Sequence, residues 1–182
     1  MRRLAIIVAV GLFVSCADLQ PDLPRERYRA QGTLVDVGPK KYLLPAEYAG
    51  PKAILVDSVD YPDKKGGALT MFYARSINGE LVENVATATR ENGFMLTLVR
   101  RDVPVQKLRV DLVGTHVQFD PVYEIRDRMK GAFLSINGNI EFEPVAGKTY
   151  VVRGELKKEA SAVWIETEDT HEIVTVKVAK PQ

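Results

Sequence analysis

Two histidines, His116 and His171, and one cysteine, Cys16, are all the imidazole and thiol chemistry in this 182-residue chain. A zinc site ordinarily takes three or four nitrogen or sulfur ligands, which these residues do not supply. His171 stands among Glu166, Glu168, Asp169 and Glu172. That makes His171, Glu168 and Asp169 the weak candidates for metal ligands, with a solvated hairpin tip the preferred reading. His116 follows Val110, Leu112 and Gly114 in an alternating run and reads as a partly buried structural histidine. Ser58, Ser76, Ser135 and Ser161 stand in neither Gly-x-Ser-x-Gly nor Ser-x-x-Lys. A triad assembled in space needs a histidine, and two leave few ways to build one. Asp57, Asp60 and Asp63 have the composition of a calcium loop. They lack its glycine and closing glutamate, and Lys64 and Lys65 oppose a cation, so turn chemistry is preferred. Carboxylate pairs suited to glycoside chemistry occur on any exposed β-surface. No catalytic residue, cofactor or metal is expected.

Two further groups bear on binding. Trp164 and Tyr150 fall on adjacent predicted strands, and aromatic residues serve both cores and interaction hot spots. They are the candidate interaction residues, with core packing as the default. Arg100, Arg101, Lys107 and Arg109 gather around Pro104 and read as a solvated strand end.

Cys16 closes a leader, MRRLAIIVAVGLFVSC. Two arginines precede an apolar run from Leu4 to Val14, and a small residue, Ser15, stands at the cut. As a helix the run spans about 16 Å, against about 30 Å for a hydrocarbon core, so it reads as a secretory signal rather than a membrane span. Phe13-Val14-Ser15-Cys16 resembles the lipobox of bacterial lipoproteins. The resemblance implies removal of residues 1–15 and lipidation of Cys16. It departs from the common pattern at Phe13, where leucine is usual. A lone cysteine forms no internal disulfide, and a free thiol is unusual in an exported protein. Lipidation removes that oddity, and several acyl chains on one residue make a stable anchor. Residues 16–29 are polar and hold Pro21 and Pro24, which suits a tether.

Without Arg2 and Arg3 the chain keeps 23 basic against 24 acidic residues, a formal charge of −1. The charges are mixed along the chain, so nothing favours nucleic acid as a partner. Residues 30–182 suit one domain with a core that needs no disulfides. Short alternating runs separated by turn residues predict strands over Gln31–Val37, Ala53–Val59, Leu69–Ile77, Phe94–Arg101 and Lys107–Phe119. Further strands are predicted over Gly131–Ile136, Asn139–Pro144, Thr149–Leu156, Ser161–Thr167 and Glu172–Val178, the last three in meander. Asn78-Gly79 and Asn137-Gly138 read as hairpin turns. Leu81 to Asn92 carries helical spacing, with Gly93 as its cap. The expected fold is all-β in the main: an antiparallel β-sandwich with one short helix near residues 81–92.

From Ser76-Ile77-Asn78-Gly79 onward, the chain resembles a family of uncharacterised bacterial envelope lipoproteins. The carrying residues are Gly93-Phe94-Met95, Arg101-Asp102-Val103-Pro104, Tyr150 to Leu156 (YVVRGEL) and Ala162 to Glu166 (AVWIE). The last hairpin is similar to envelope domains of immunoglobulin-like or transthyretin-like build, which often end in Asp-x-x-Thr-Gly; here His171 takes the glycine's place. The resemblance implies fold and location and brings no catalytic residue. The expectation is a non-catalytic binding module, membrane-bound through Cys16, facing the periplasm, with an envelope protein or peptidoglycan as partner. By resemblance to enterobacterial sorting, Ala17 directly after the cysteine favours the outer membrane; in a Gram-positive cell the site would be the cell surface. The alternatives are a carrier of a small ligand or metal ion and, last, a loop-built hydrolase.

Overall fold

The computed structural model describes residues 33–36, 44, 48–61, 68–118, 125, 129, 134–158 and 160–179. The leader, Cys16 and the tether lie outside the described residues. Among the described residues, eleven strands form two facing sheets, an all-β sandwich with the helix α1 (Val85–Glu91) against one of them. The first sheet runs β1 (Thr33–Asp36), β6 (Thr97–Pro104), β2 (Lys52–Val56), β9 (Thr149–Glu155), β10 (Ala162–Thr167), β11 (Val178–Ala179). The second runs β3 (Ser58–Asp60), β4 (Ala68–Ile77), β7 (Leu108–Gln118), β8 (Ser135–Phe142), with β5 (Glu80–Leu81) against β4. The first sheet is mixed: β1 pairs β6, and β2 pairs β9, in parallel. The second is antiparallel throughout.

Alternation places the core. Leu55, Val152, Val163 and Ile165 of the first sheet face Phe72, Leu112, Ile136 and Ile140 of the second, all buried. Phe72 sits in room that glycines leave. A Cβ on Gly114, its partner on β7, would lie 3.0 Å from the Phe72 ring, and one on Gly154 of the opposite sheet would collide with that ring and with the Ala162 carbonyl. The other face of β4 is also covered. Leu69 and Met71 pack with Val85 and Leu96 beneath helix α1 (Val85–Glu91). Asn84 caps this helix: its side chain accepts from the amides of Ala86 and Thr87, while the Thr87 hydroxyl accepts from the Asn84 amide.

Among the described residues the predicted elements are present with five corrections. The strand expected over Phe94–Arg101 is Thr97–Pro104, because residues 92–96 turn out of α1. The run Ala53–Val59 is two strands, because the chain leaves the first sheet at Asp57 and enters the second at Ser58. The helix starts at Val85 rather than Leu81, since Leu81 closes the Asn78-Gly79 hairpin onto Ser76. Both turn residues have positive φ, 53° and 87°, as the tight hairpin requires. Asn137-Gly138 is no turn but the middle of β8, where Gly138 pairs with Leu112 and lies under Val178. The meander's last strand shrinks to Val178–Ala179. Upstream, the Thr175 hydroxyl takes the Ile165 amide, and only a single bridge, Glu166 to Ile173, continues the ladder.

Candidate functional site

Polar groups gather in two places on the first sheet. One is its outer face across β9 and β10. Strand parity turns Val163 and Ile165 inward and Trp164 and Glu166 outward. Trp164 pairs with Arg153 across the ladder. Glu166 is nearly buried, with hydrogen bonds to the Trp164 indole Nε1 at 2.9 Å and His171 Nδ1 at 3.2 Å and an ion pair with Arg153 Nε at 3.4 Å. Arg153 also reaches Asp60 at 3.9 Å, and the Lys177 ammonium lies 4.2 Å from the Trp164 ring centre. The tip that carries His171 is tied down locally. The Thr167 hydroxyl accepts from the Glu172 amide and meets the Thr170 hydroxyl at 2.6 Å. His171 itself has φ 56°, the left-handed conformation a glycine would take there.

This arrangement corrects two expectations. Tyr150 does not share a patch with Trp164: it faces inward, 2% exposed, stacks edge-on against Phe142, and its hydroxyl accepts from the Val145 amide. Nor do His171, Glu168 and Asp169 converge. His171 turns to Glu166, Asp169 accepts from the Thr170 amide, and no group of three such ligands gathers among the described residues. Of the serines, Ser58 and Ser161 are buried and donate to main-chain carbonyls of Val152 and Lys157. Ser76 and Ser135 lie on the second sheet, and His116 lies there opposite Thr70. Ser76 lines an open polar depression of about 530 Å³ with Asn78, Gly79, Arg109 and Asn139.

The other place is the junction at Asp57, which sequence reasoning read as a turn. Asp57 is fully buried between the sheets. Its carboxylate accepts from Arg101 Nη2 at 2.7 Å, the Val85 amide at 2.9 Å and the Ala74 amide at 3.3 Å. One side chain thus ties β6, the start of α1 and β4 to the strand switch. Arg101, read as a solvated strand end, is 6% exposed and also donates to the Glu83 carbonyl. Burial pushes the Asp57 carboxyl above its ordinary value, and the Arg101 charge and the two amides offset this only in part. Parity held the missing signal: Arg101 alternates with Val99 and Val103 on the inward side of β6. Asp57 sits alone in an otherwise apolar run. Asp57 points inward and Asp60 reaches Arg153, so the two do not form one cation loop; Asp63 lies outside the described residues.

No family model, characterised protein or solved structure matches this chain.

The chemistry available follows from the geometry. Glu166 is occupied by donors on both oxygens, and the Trp164 ring carries a cation. Such a network fixes a planar aromatic and several charges in place on the outer face of the sheet. Among the described residues no helix is long and apolar enough to cross a membrane.

Proposed function

We propose that the chain is a lipid-anchored, non-catalytic binding module of the bacterial cell envelope. It is held at the membrane through Cys16 and faces the periplasm, from the outer membrane. It presents the outer face of the first sheet to an envelope protein or to peptidoglycan. The observation that carries the binding surface is Trp164, half-exposed on that face and fixed by Glu166 on its edge and Lys177 on its ring. An aromatic ordered before binding loses little conformational entropy on contact. The anchor adds effective concentration, so modest contacts suffice. The leader and Cys16 supply the location. The space between the sheets is filled by side chains such as Phe72, Leu112 and Ile165, which favours a surface over an internal ligand site.

The test is cross-linking in the native envelope, with mass spectrometry of what is captured by the parent, by Trp164→Ala and by Cys16→Ser. The expected result is one specific envelope protein or peptidoglycan fragment, reduced by W164A and lost with C16S. Capture unchanged in W164A would move the binding surface elsewhere. No specific capture by a folded, lipidated parent would defeat the reading.

A further inference from the structure

Among the described residues the two sheets end in four edge strands, and three of them are short. β1 has 4 residues, β3 has 3 and β11 has 2. The fourth, β8, has 8. Sheets commonly protect an edge by brevity, lysine, proline or a bulge. β8 (SINGNIEF) holds no lysine and no proline, and its register with β7 is unbroken from Ser135 to Phe142.

Register fixes which main-chain groups of β8 face away from β7. The His116 amide bonds the Leu134 carbonyl, so the even-numbered residues of β8 turn their amides and carbonyls to β7. Those of Ser135, Asn137, Asn139 and Glu141 point out of the sheet edge, and among the described residues no strand receives them. The side chains of the same four residues are exposed on the outer face, while Ile136, Ile140 and Phe142 are buried. Three of the four are neutral, and Glu141 is paired with Lys107 at 2.8 Å. The first sheet extends past this edge. Val178 lies on Gly138, and Lys177 points the other way, onto Trp164. Parity puts Val176 on the Val178 side, facing the second sheet, yet it is 72% exposed, so the second sheet does not reach beneath it.

We infer that β8 is a self-association edge, at which two copies of the chain pair their β8 strands antiparallel and join their second sheets into one. The occupant follows from the polar row itself. Antiparallel pairing sets outward-pointing residues opposite one another, odd against odd. Centred on Gly138, the pair places Asn137 opposite Asn139 and Ser135 opposite Glu141. Centred on Asn139, it places Asn139 opposite itself and Asn137 opposite Glu141. In both registers the facing side chains can hydrogen-bond and no like charges meet. A second copy satisfies this row by two-fold symmetry. A strand pair buries less than a standard interface, so the association depends on concentration. The edge lies apart from the Trp164 face, which the pair leaves open.

The experiment uses the full-length chain, expressed with its own leader, purified in detergent and compared at about 100 μM and about 1 μM. Sedimentation gives the protein mass, and amide exchange by NMR reports Ser135, Asn137, Asn139 and Glu141. At the higher concentration about twice the monomer mass and about ten-fold slower exchange at these four amides are expected. Asn139→Pro removes a donor that points out of the edge and none from the β7 ladder, so it should stay folded and monomeric. If N139P does not fold, N137K/N139K replaces it: monomeric alone, and dimeric when mixed with N137D/N139D. A parent that is monomeric with fast exchange at both concentrations overturns the inference. Slow exchange unchanged by dilution means that the edge is covered within one chain, and overturns it too. A dimer that survives N139P, or the lysine pair, places the contact elsewhere and does the same. Each of these failures leaves the Trp164 reading standing.

Discussion

Asp57 and Glu166 are two carboxylates that each face an arginine and each hold further hydrogen bonds. Their surroundings differ. The Asp57–Arg101 pair has side chains 0% and 6% exposed, and the Glu166–Arg153 pair 11% and 35%. Water competes for the second pair and screens it, so it contributes little to stability. Water reaches neither member of the first. There the two charges are tolerable only because they hold each other, and removing one leaves the other stranded. The buried pair also does mechanical work that the surface pair does not: it binds the strand switch to β4, β6 and the start of α1. The same residue types therefore build a junction in one place and a solvated surface network in the other.

The sharpest way to break the contrast is Arg101→Met. It leaves the buried Asp57 carboxyl without its counter-charge and is expected to cost about 3–5 kcal/mol at neutral pH, read from urea unfolding. The sign of the pH dependence follows from burial. A carboxyl whose folded-state value is raised contributes most below its unfolded value, about 3.9, and that contribution is lost as pH rises through the folded value. Removing Arg101 raises the folded value further. The R101M deficit should therefore shrink as pH falls toward 4, and adding Asp57→Asn should recover much of it at neutral pH. An equal deficit at pH 4 and pH 7 would mean that lost packing, not a stranded charge, is the cost.

The surface network on β10 depends on the core beneath it, which gives the next effect. Gly154→Ala places a methyl against the Phe72 ring and 2.6 Å from the Ala162 carbonyl. The expected loss is about 1–3 kcal/mol. The carbonyl belongs to β10, so the strain is transmitted to the strand that carries Trp164 and Glu166. Shortening Phe72 to leucine in the same chain relieves the ring clash but not the carbonyl contact. Partial recovery in F72L/G154A, measured against F72L alone, would separate the two causes.

How far these features were legible differs by kind. Alternation exposed β7 and β10, whereas β4, with Phe72 toward the core and Leu69 and Met71 under α1, is legible only as an apolar run between turn residues. Alternation failed at Ala53–Val59, where both halves are buried and a change of sheet leaves the hydrophobic pattern intact. It failed again at Asn137-Gly138, whose turn composition serves close packing under Val178 instead. The Trp164 surface was half legible. Trp164 was singled out, but its partner was sought in Tyr150, which parity on the neighbouring strand sends inward. Asp57–Arg101 was not found, because a pair 44 residues apart in sequence meets only through sheet topology.

On the surface side, Glu166→Gln is the corresponding change. The amide oxygen still accepts one hydrogen bond, while the ionic part of the contacts to Arg153 and His171 is lost. A cost of about 1 kcal/mol or less is expected. A cost near that of R101M would erase the distinction between junction and surface. Trp164 emission should shift, since the hydrogen bond to its indole weakens, and this checks that the local network was reached.

Lys177→Ala gives the smallest effect and the finest test of the surface network. It removes the cation from the Trp164 ring, a contact worth about 0.5–1 kcal/mol at an exposed site. Lys177 also precedes β11, whose pairing with β10 covers only Ala162 and Val163. Two outcomes therefore separate. If the ammonium serves the ring alone, K177A lowers stability by about 0.5 kcal/mol and makes Trp164 more accessible to a soluble quencher, while amide exchange at Val178 and Ala179 is unchanged. If the stack is what holds the final strand in register, exchange there rises well beyond what the stability loss accounts for. The first outcome makes Lys177 a removable cover on the ring, and the second makes it part of the sheet edge.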